Sequence, residues 1–303
     1  MPHVSFIMPA YNCAGTIAES VASIMETNFR QGDELVIVND FSSDGTASVI
    51  ESLQEVYPVI KAVHHPRNRG GGSARNTAVE HASHPLLFCL DSDNILAPGC
   101  IERLASFLTG SGLDSASFKE VRYFVDGIDE VTHTWVYCDD PITLADTVAG
   151  PIFPGTSGNY MFTRKSWSLA GGYPEFAGAL DTWGFAVRQL ATGTRMAAMP
   201  DSHYWHRYGY ESYYVRESTS RNLSLQATQV LLPFHDLIQD RDLDYLLSRA
   251  ARFTWFDAIT RRPIRTKADG RGRNGTVVSA KDAHVQPAAG GGLVEGFLRL
   301  LGK

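Results

Sequence analysis

The sequence is poor in the features that announce several common protein classes. Its four cysteines, Cys13, Cys89, Cys100 and Cys138, show no Cys-x-x-Cys spacing, so neither a zinc site nor a disulfide framework is indicated. No apolar run reaches the length of a membrane span. The stretch Val4-Ser5-Phe6-Ile7-Met8 is too short for the apolar core of a signal peptide. A basic excess is missing too: 27 Lys and Arg against 33 Asp and Glu leave a formal charge of −6. That balance excludes the electrostatic footprint of a nucleic-acid binder. No internal repeat is found. The expectation is a reduced, soluble, cytoplasmic chain.

What is present is an ordinary globular composition, 44% hydrophobic and 20% charged over 303 residues, enough for one large α/β domain or a domain with an appendage. Apolar runs at 4–8, 35–38, 59–63 and 86–90 read as strands, the first stopped by Pro9. Helices separate them: 16–25, with Ile17, Val21 and Ile24 on one face, one capped by Asp44 or Thr46 and running to about 55, and one opened by the stretch 67–76 and running to about 81. Strands and helices alternating at this spacing imply right-handed crossovers and a mostly parallel central sheet flanked by helices. Further on, 100–108 reads as a helix and 115–125 and 131–137 as longer strands. Residues 155–158 read as a flexible connector, 159–163 as a strand, 165–170 and 181–190 as helices, and 195–199 as a short strand. Residues 201–207 read as an irregular polar-aromatic loop, and 212–259 as a helical extension broken at Pro233. Few large apolar residues fall in 261–292, which is expected to be loosely attached. Residues 293–301 could form a short amphipathic helix, a candidate for peripheral membrane contact.

The candidate polar groups of the first half lie just past strand ends. Tyr11 follows the first strand, Asp40 the second, the loop from Asn68 to Asn76 the third, and Asp91-Ser92-Asp93-Asn94 the fourth. In a parallel sheet those ends share one edge, where ligands bind. Two carboxylates at i and i+2 repel each other, and a divalent cation carrying phosphate oxygens is their natural partner. A calcium loop is excluded, because Ile95 and Leu96 occupy its fifth and sixth positions. Gly70, Gly71 and Gly72 at a helix start, with Arg75 beyond, resemble an anion cradle. Asp181 opens a later helix, and His206, beside His203 and Arg207, is a candidate metal or phosphate contact.

Four segments in order carry a family resemblance: Pro9-Ala10-Tyr11-Asn12; Asn39-Asp40-Phe41-Ser42-Ser43-Asp44-Gly45-Thr46; Asn68-x-Gly70 followed by Ala74-Arg75-Asn76; and Asp91-Ser92-Asp93. The first hundred residues resemble family 2 glycosyltransferases of the GT-A fold, with weaker similarity through Gly171-Gly172-Tyr173 to Asp181. The resemblance implies inverting transfer from a nucleotide-sugar, usually a UDP-sugar, with Mn²⁺ or Mg²⁺ on the diphosphate. The acceptor would be a carbohydrate or a lipid-linked glycan. It implies that Pro9, Ala10, Tyr11, Asn12, Asp40, Asn68, Gly70, Arg75, Asp91 and Ser92 line the nucleotide-sugar. Asp93 with Asp91 would bind the metal, joined by His206, and Asp181 would be the general base. It divides the chain into a donor half (1–110), an acceptor half (111–210), a helical extension (211–260) and a tail (261–303).

Leu180 stands where a Glu usually precedes the base, and Asn39 and Phe41 stand around Asp40 in place of Asp and Gly. Three other functions compete with this one. A nucleotidyltransferase needs a Gly-rich loop after the first strand, where this chain has Pro9-Ala10-Tyr11-Asn12. An Asp-x-Asp phosphatase carries its pair on the first strand. A non-catalytic nucleotide-sugar or glycan-binding protein on the same fold would keep the donor site without the base.

Overall fold

The computed structural model describes residues 1–137, 141–149, 158–209 and 222–239, and the short strands at 255–256, 263–264 and 276–279. The first half is a parallel sheet built from β1 (Val4–Ala10), α1 (Ile17–Met25), β2 (Glu34–Asn39), α2 (Thr46–Val56), β3 (Ile60–His64), α3 (Gly71–His81) and β4 (Leu86–Cys89). Its strand order is β3-β2-β1-β4, every neighbour parallel. Alternation along each strand splits the core in two. Phe6, Met8, Leu35 and Ile37 face one cluster with Ile17, Val21 and Ile24 of α1. Ile7, Val36 and Val38 face the other, with Ala74, Ala78 and Val79 of α3.

Pro9 does not stop β1, contrary to the sequence expectation. Its position faces β4, where the last ladder bond runs from Leu90 N to Ile7 O at 3.0 Å. Pro9 has no N–H to extend that ladder, so β1 and β4 part here while β1 stays paired with β2 through Ala10 and Asn39. The chain reverses its direction of travel across the sheet between these same strands, which is where an open α/β sheet forms its crevice.

The second half comprises β5 (Ile95–Leu96), α4 (Cys100–Gly110), β6 (Ser115–Phe124), β7 (Val131–Val136), α5 (Leu144–Ala149), β8 (Met161–Thr163) and α6 (Arg164–Leu169). After a 3₁₀ turn (Glu175–Leu180) come α7 (Asp181–Ala191), β9 (Met196–Arg207) and α8 (Asn222–Leu231). β8 joins the edge of β4 antiparallel, and β6 carries β8 and β7 antiparallel and β9 parallel. The sheet is therefore mixed: every pairing in its first half is parallel, while its second half joins antiparallel pairs to the parallel pair β6 and β9. A chain of rings, Phe6, Phe88, Phe118 and Tyr204, ties the halves together at centroid spacings of 6.1, 6.0 and 5.5 Å, each pair worth about 0.5–1.5 kcal/mol beyond its buried area.

Two further expectations are corrected. Residues 201–207 are no loop but the second part of β9, paired with β6 as far as Phe124 and Arg207. A register shift opposite Phe118 and Glu120, with Asp201 at φ 49°, gives the appearance of a break while the strand resumes. Beyond α8, β10 (Trp255–Phe256) and β11 (Pro263–Ile264) pair antiparallel, so 255–256 is strand rather than helix. β12 (Thr276–Ser279), inside the segment read as loosely attached, pairs with β7 at the sheet edge. Its β-branched Thr-Val-Val favours a strand, a local signal outweighed by the polar composition around it. Cys138, the connector at 155–157 and the helix expected at 293–301 lie outside the described residues.

Candidate active site

The loops after β1 and β2 are laced together. Asn12 N donates to Ser42 Oγ at 3.0 Å, Ser43 N to Asn12 Oδ1 at 2.8 Å, Cys13 N to Thr46 Oγ1 at 2.8 Å, and Ala14 N to Asp44 Oδ2 at 3.2 Å. Tyr11 projects from this lacework as an exposed ring, while Ala10 is buried and its carbonyl accepts from Asp40 N at 2.8 Å.

Asp40 is 2% exposed. Its Oδ1 accepts from His65 Nδ1 at 2.7 Å and Arg69 N at 2.9 Å, and its Oδ2 from Gly70 N at 2.7 Å. Asn68 Nδ2 donates to its carbonyl at 3.2 Å. The loop before α3 does cradle an anion, and that anion is the protein's own Asp40. A carboxylate has about four lone-pair sites, so one remains on Oδ2.

The glycines of that loop serve close packing. A Cβ on Gly71 would lie 2.7 Å from Arg75 Nη1 and 2.8 Å from Asp181 Oδ2, and one on Gly72 3.3 Å from Asp181 Cβ. Their absence lets the start of α3 settle on the start of α7. There Arg75 joins the two halves of the chain: Nη1 donates to Asp181 Oδ2 at 2.7 Å and Nη2 to Asp91 Oδ1 at 2.6 Å. Asp181, 6% exposed, also accepts from Thr182 N at 2.7 Å. Burial pushes the Asp181 carboxyl up, and the guanidinium of Arg75 pulls it back only in part.

The Asp91-Ser92-Asp93-Asn94 loop is pinned from several sides. Asp91 N donates to Asn159 Oδ1 at 2.6 Å, and Ser92 O accepts from Thr16 Oγ1 at 3.0 Å. Gly158, at φ +111°, passes so close that a Cβ would meet Asp91 Oδ2 at 2.9 Å. Arg207 donates through Nε to Asp93 O at 3.2 Å and through its backbone N to the buried Asn94 Oδ1 at 2.9 Å. Burial and then the charge of Asp91 push the Asp93 carboxyl up to about 7. Burial also pushes the His206 imidazole down to about 4, against the opposing pull of Asp91, and its buried Nδ1 has no hydrogen-bond partner.

These features fit a divalent cation. The oxygens of Asp91 and Asp93 are hard donors, a nearby positive charge would relieve their repulsion, and the unpartnered nitrogen of a neutral His206 is a usable ligand. Among the described residues, no three His, Cys, Asp or Glu side chains are gathered to hold a metal unaided. His206 is thus not assembled with the acids into a closed site. The described residues give such a cation only part of its ligand set, and Mg²⁺ characteristically takes further oxygens from substrate phosphates.

The family model described as Glycosyl transferase family 2 matches residues 5–169, more than half of the sequence. The chain belongs to glycosyl transferase family 2. Among relatives of this family, it is 35% identical over 111 residues to the succinoglycan biosynthesis protein ExoU of Rhizobium meliloti, covering 37% of this chain and 31% of that one. It is 31% identical over 93 residues to the poly-beta-1,6-N-acetyl-D-glucosamine synthase of Staphylococcus epidermidis, covering 31% and 22%. The matched region spans less than half the length of these curated relatives. Two solved structures share the GT-A fold. The mannosyltransferase PcManGT from Pyrobaculum calidifontis, in complex with GDP-Man and Mn²⁺, has a TM-score of 0.60 at 23% identity, covering 82% of this chain and 71% of that one. S. aureus TarS 1-349 with UDP-GlcNAc has a TM-score of 0.56 at 16% identity, covering 81% and 78%.

Direct hydrogen bonds gather Asp40, Asn68 and Gly70 in one set and Arg75, Asp91 and Asp181 in another, all six singled out from the sequence. The structure adds His65, Asn94 and Asn159, to which the sequence assigned no role in binding or catalysis. Asn94 carried a signal, its place beside the acid pair. Asn159 falls within the stretch of weaker family similarity, but its contact with Asp91 spans 68 residues and nothing local pointed to it. No helix among the described residues is long and apolar enough to cross a membrane.

Proposed function

We propose that the chain is an inverting transferase moving a sugar from a UDP-sugar to a hydroxyl of a carbohydrate or lipid-linked glycan. The observation that carries this reading is Arg75, which bonds both an acid just past β4, 16 residues on, and an acid at the start of α7, 106 residues on. The donor would lie in the crevice between β1 and β4. Tyr11 and the remaining lone pair of Asp40 would meet the base, and Asp91 would stand at the ribose and the metal. Asp93, with Asp91 and the open nitrogen of His206, would hold Mn²⁺ or Mg²⁺. Such an ion offsets negative charge growing on a leaving diphosphate.

The acceptor oxygen forms its bond to the anomeric carbon as the bond from that carbon to the phosphate oxygen breaks, and the diphosphate leaves with the electron pair. The acceptor proton needs a base on the opposite side of the sugar. Asp181 is that base in this reading, with its proton affinity already raised by burial. Arg75 covers Asp181 Oδ2 in the structure, so the oxygen left to take the proton is Oδ1, which accepts one bond from Thr182 N and keeps a second lone pair.

That covered carboxylate also favours a second reading, in which Asp181 only holds Arg75 and the protein binds nucleotide-sugars without transferring them. Release of nucleoside diphosphate from a panel of UDP-, GDP- and dTDP-sugars, with Mn²⁺ and oligosaccharide acceptors, separates the two. The first reading expects release by the wild type and a loss of about 10²- to 10⁴-fold in Asp181→Asn at unchanged donor affinity. Binding without release in the wild type would establish the second.

A further inference from the structure

Phe41 is costly where it stands. It is 57% exposed, so its ring contributes little to the core. Its φ is +62°, the left-handed region, where a Cβ crowds the following carbonyl oxygen and a bulky side chain is an outlier. Two other non-glycine residues among those described have positive φ, and each has its own reason. Asp201 sits at the bulge of β9, and Asn12 is a residue type that tolerates this region. Phe41 has neither excuse.

The backbone around it is over-determined. Asn39 Oδ1 accepts from Ser42 N at 3.1 Å, closing a turn over Phe41, and Ser42 and Ser43 are both bonded to Asn12. Strain persists where the surroundings enforce it, and it collects at ligand clamps. Tyr11, 49% exposed, stands at the end of the neighbouring strand, since Ala10 and Asn39 are paired across β1 and β2. Among the described residues neither ring stacks on another aromatic ring. Asp40, with its one open lone pair, directly precedes Phe41, and its backbone N donates at 2.8 Å to the carbonyl of Ala10, the residue before Tyr11.

We infer that Phe41 is a second stacking surface for the nucleobase of a nucleoside diphosphate, set beside Tyr11 on a rigid double loop. The inference rests on the donor-site reading above. Stacking is indifferent to base identity, because every base has a π-face, so Phe41 adds affinity for UDP and GDP alike and leaves discrimination to Asp40.

The test is calorimetric titration of the wild type, Phe41→Gly and Phe41→Trp with Mn²⁺ and one of three probes: UDP, GDP or inorganic pyrophosphate. Phe41→Gly is expected to weaken UDP and GDP on the order of 10- to 100-fold, to leave pyrophosphate unchanged, and to melt no lower than the wild type because the strain is gone. Phe41→Trp is expected to keep nucleotide affinity. Unchanged UDP and GDP affinity in Phe41→Gly would overturn the inference while leaving the donor site standing. Equal losses for UDP and pyrophosphate would overturn it too, by making Phe41 a loop-shaping residue only. A wild type that binds none of the probes would overturn the donor site and this inference with it.

Discussion

Replacing Arg75 by Met tests whether the double ion pair holds the two halves of the domain together. Arg75 and Asp181 are both buried, and Asp91 is mostly so. Met matches the length of the aliphatic stem but leaves two carboxylates facing each other with no cation. Removing one partner of a buried pair costs about 3–5 kcal/mol, because the stranded charge keeps its desolvation penalty. At roughly 2–4 °C per kcal/mol for a domain of this size, the melting temperature should fall by about 6–20 °C. Equilibrium urea unfolding gives the free energy directly. The double variant Arg75→Met with Asp181→Asn removes one stranded charge, so it should be at least about 1 kcal/mol more stable than Arg75→Met alone. A loss under about 1 kcal/mol for Arg75→Met, or strict additivity of the two substitutions, would refute the reasoning.

Other expected outcomes follow from the same geometry. Burial alone would push the Glu34 carboxyl up, but donors from Lys61, Ser5 and Ser83 outweigh it and hold the group at about 2 against an ordinary 4.5. A lowered native value means stability that is full above about pH 4.5 and lost as pH falls toward 2. Glu34→Gln should therefore be less stable than the wild type by about 1–2 kcal/mol at pH 7, allowing for solvent screening. The two urea curves should converge near pH 2, and a constant gap would contradict the assignment. Gly71→Ala puts a methyl 2.7 Å from Arg75 Nη1 and should cost about 1–3 kcal/mol while weakening UDP binding. Wild-type thermal stability and UDP affinity in that variant would show that α3 can draw back freely.

The parallel half of the fold was legible because its strands are unbroken apolar runs and α1 keeps a clear 3.6-residue period through Ile17, Val21 and Ile24, while α3, buried without a break from Gly72 to Val79, was marked by its glycine start instead. β9 was not. Pro200 and Asp201 sit at the bulge, and a bulge reads locally as a strand end. The acid pair and Asp181 could be named from type and position, but not their connection through Arg75, which depends on tertiary packing alone. The glycine run shows a different limit. Three glycines predict close approach to the backbone, yet the partner could equally be a ligand phosphate or the protein's own carboxylates. In this structure Asp40 and Asp181 take that place.

The central claim is that acids from separate strands converge on one crevice to receive a cation and a nucleoside diphosphate. Titrating UDP into wild type and Asp93→Asn, each with Mn²⁺ and with chelator, tests it most directly. The account predicts that Mn²⁺ strengthens UDP binding in the wild type and that this increment disappears in Asp93→Asn. An equal Mn²⁺-dependent gain in both proteins, or none in the wild type, would contradict it.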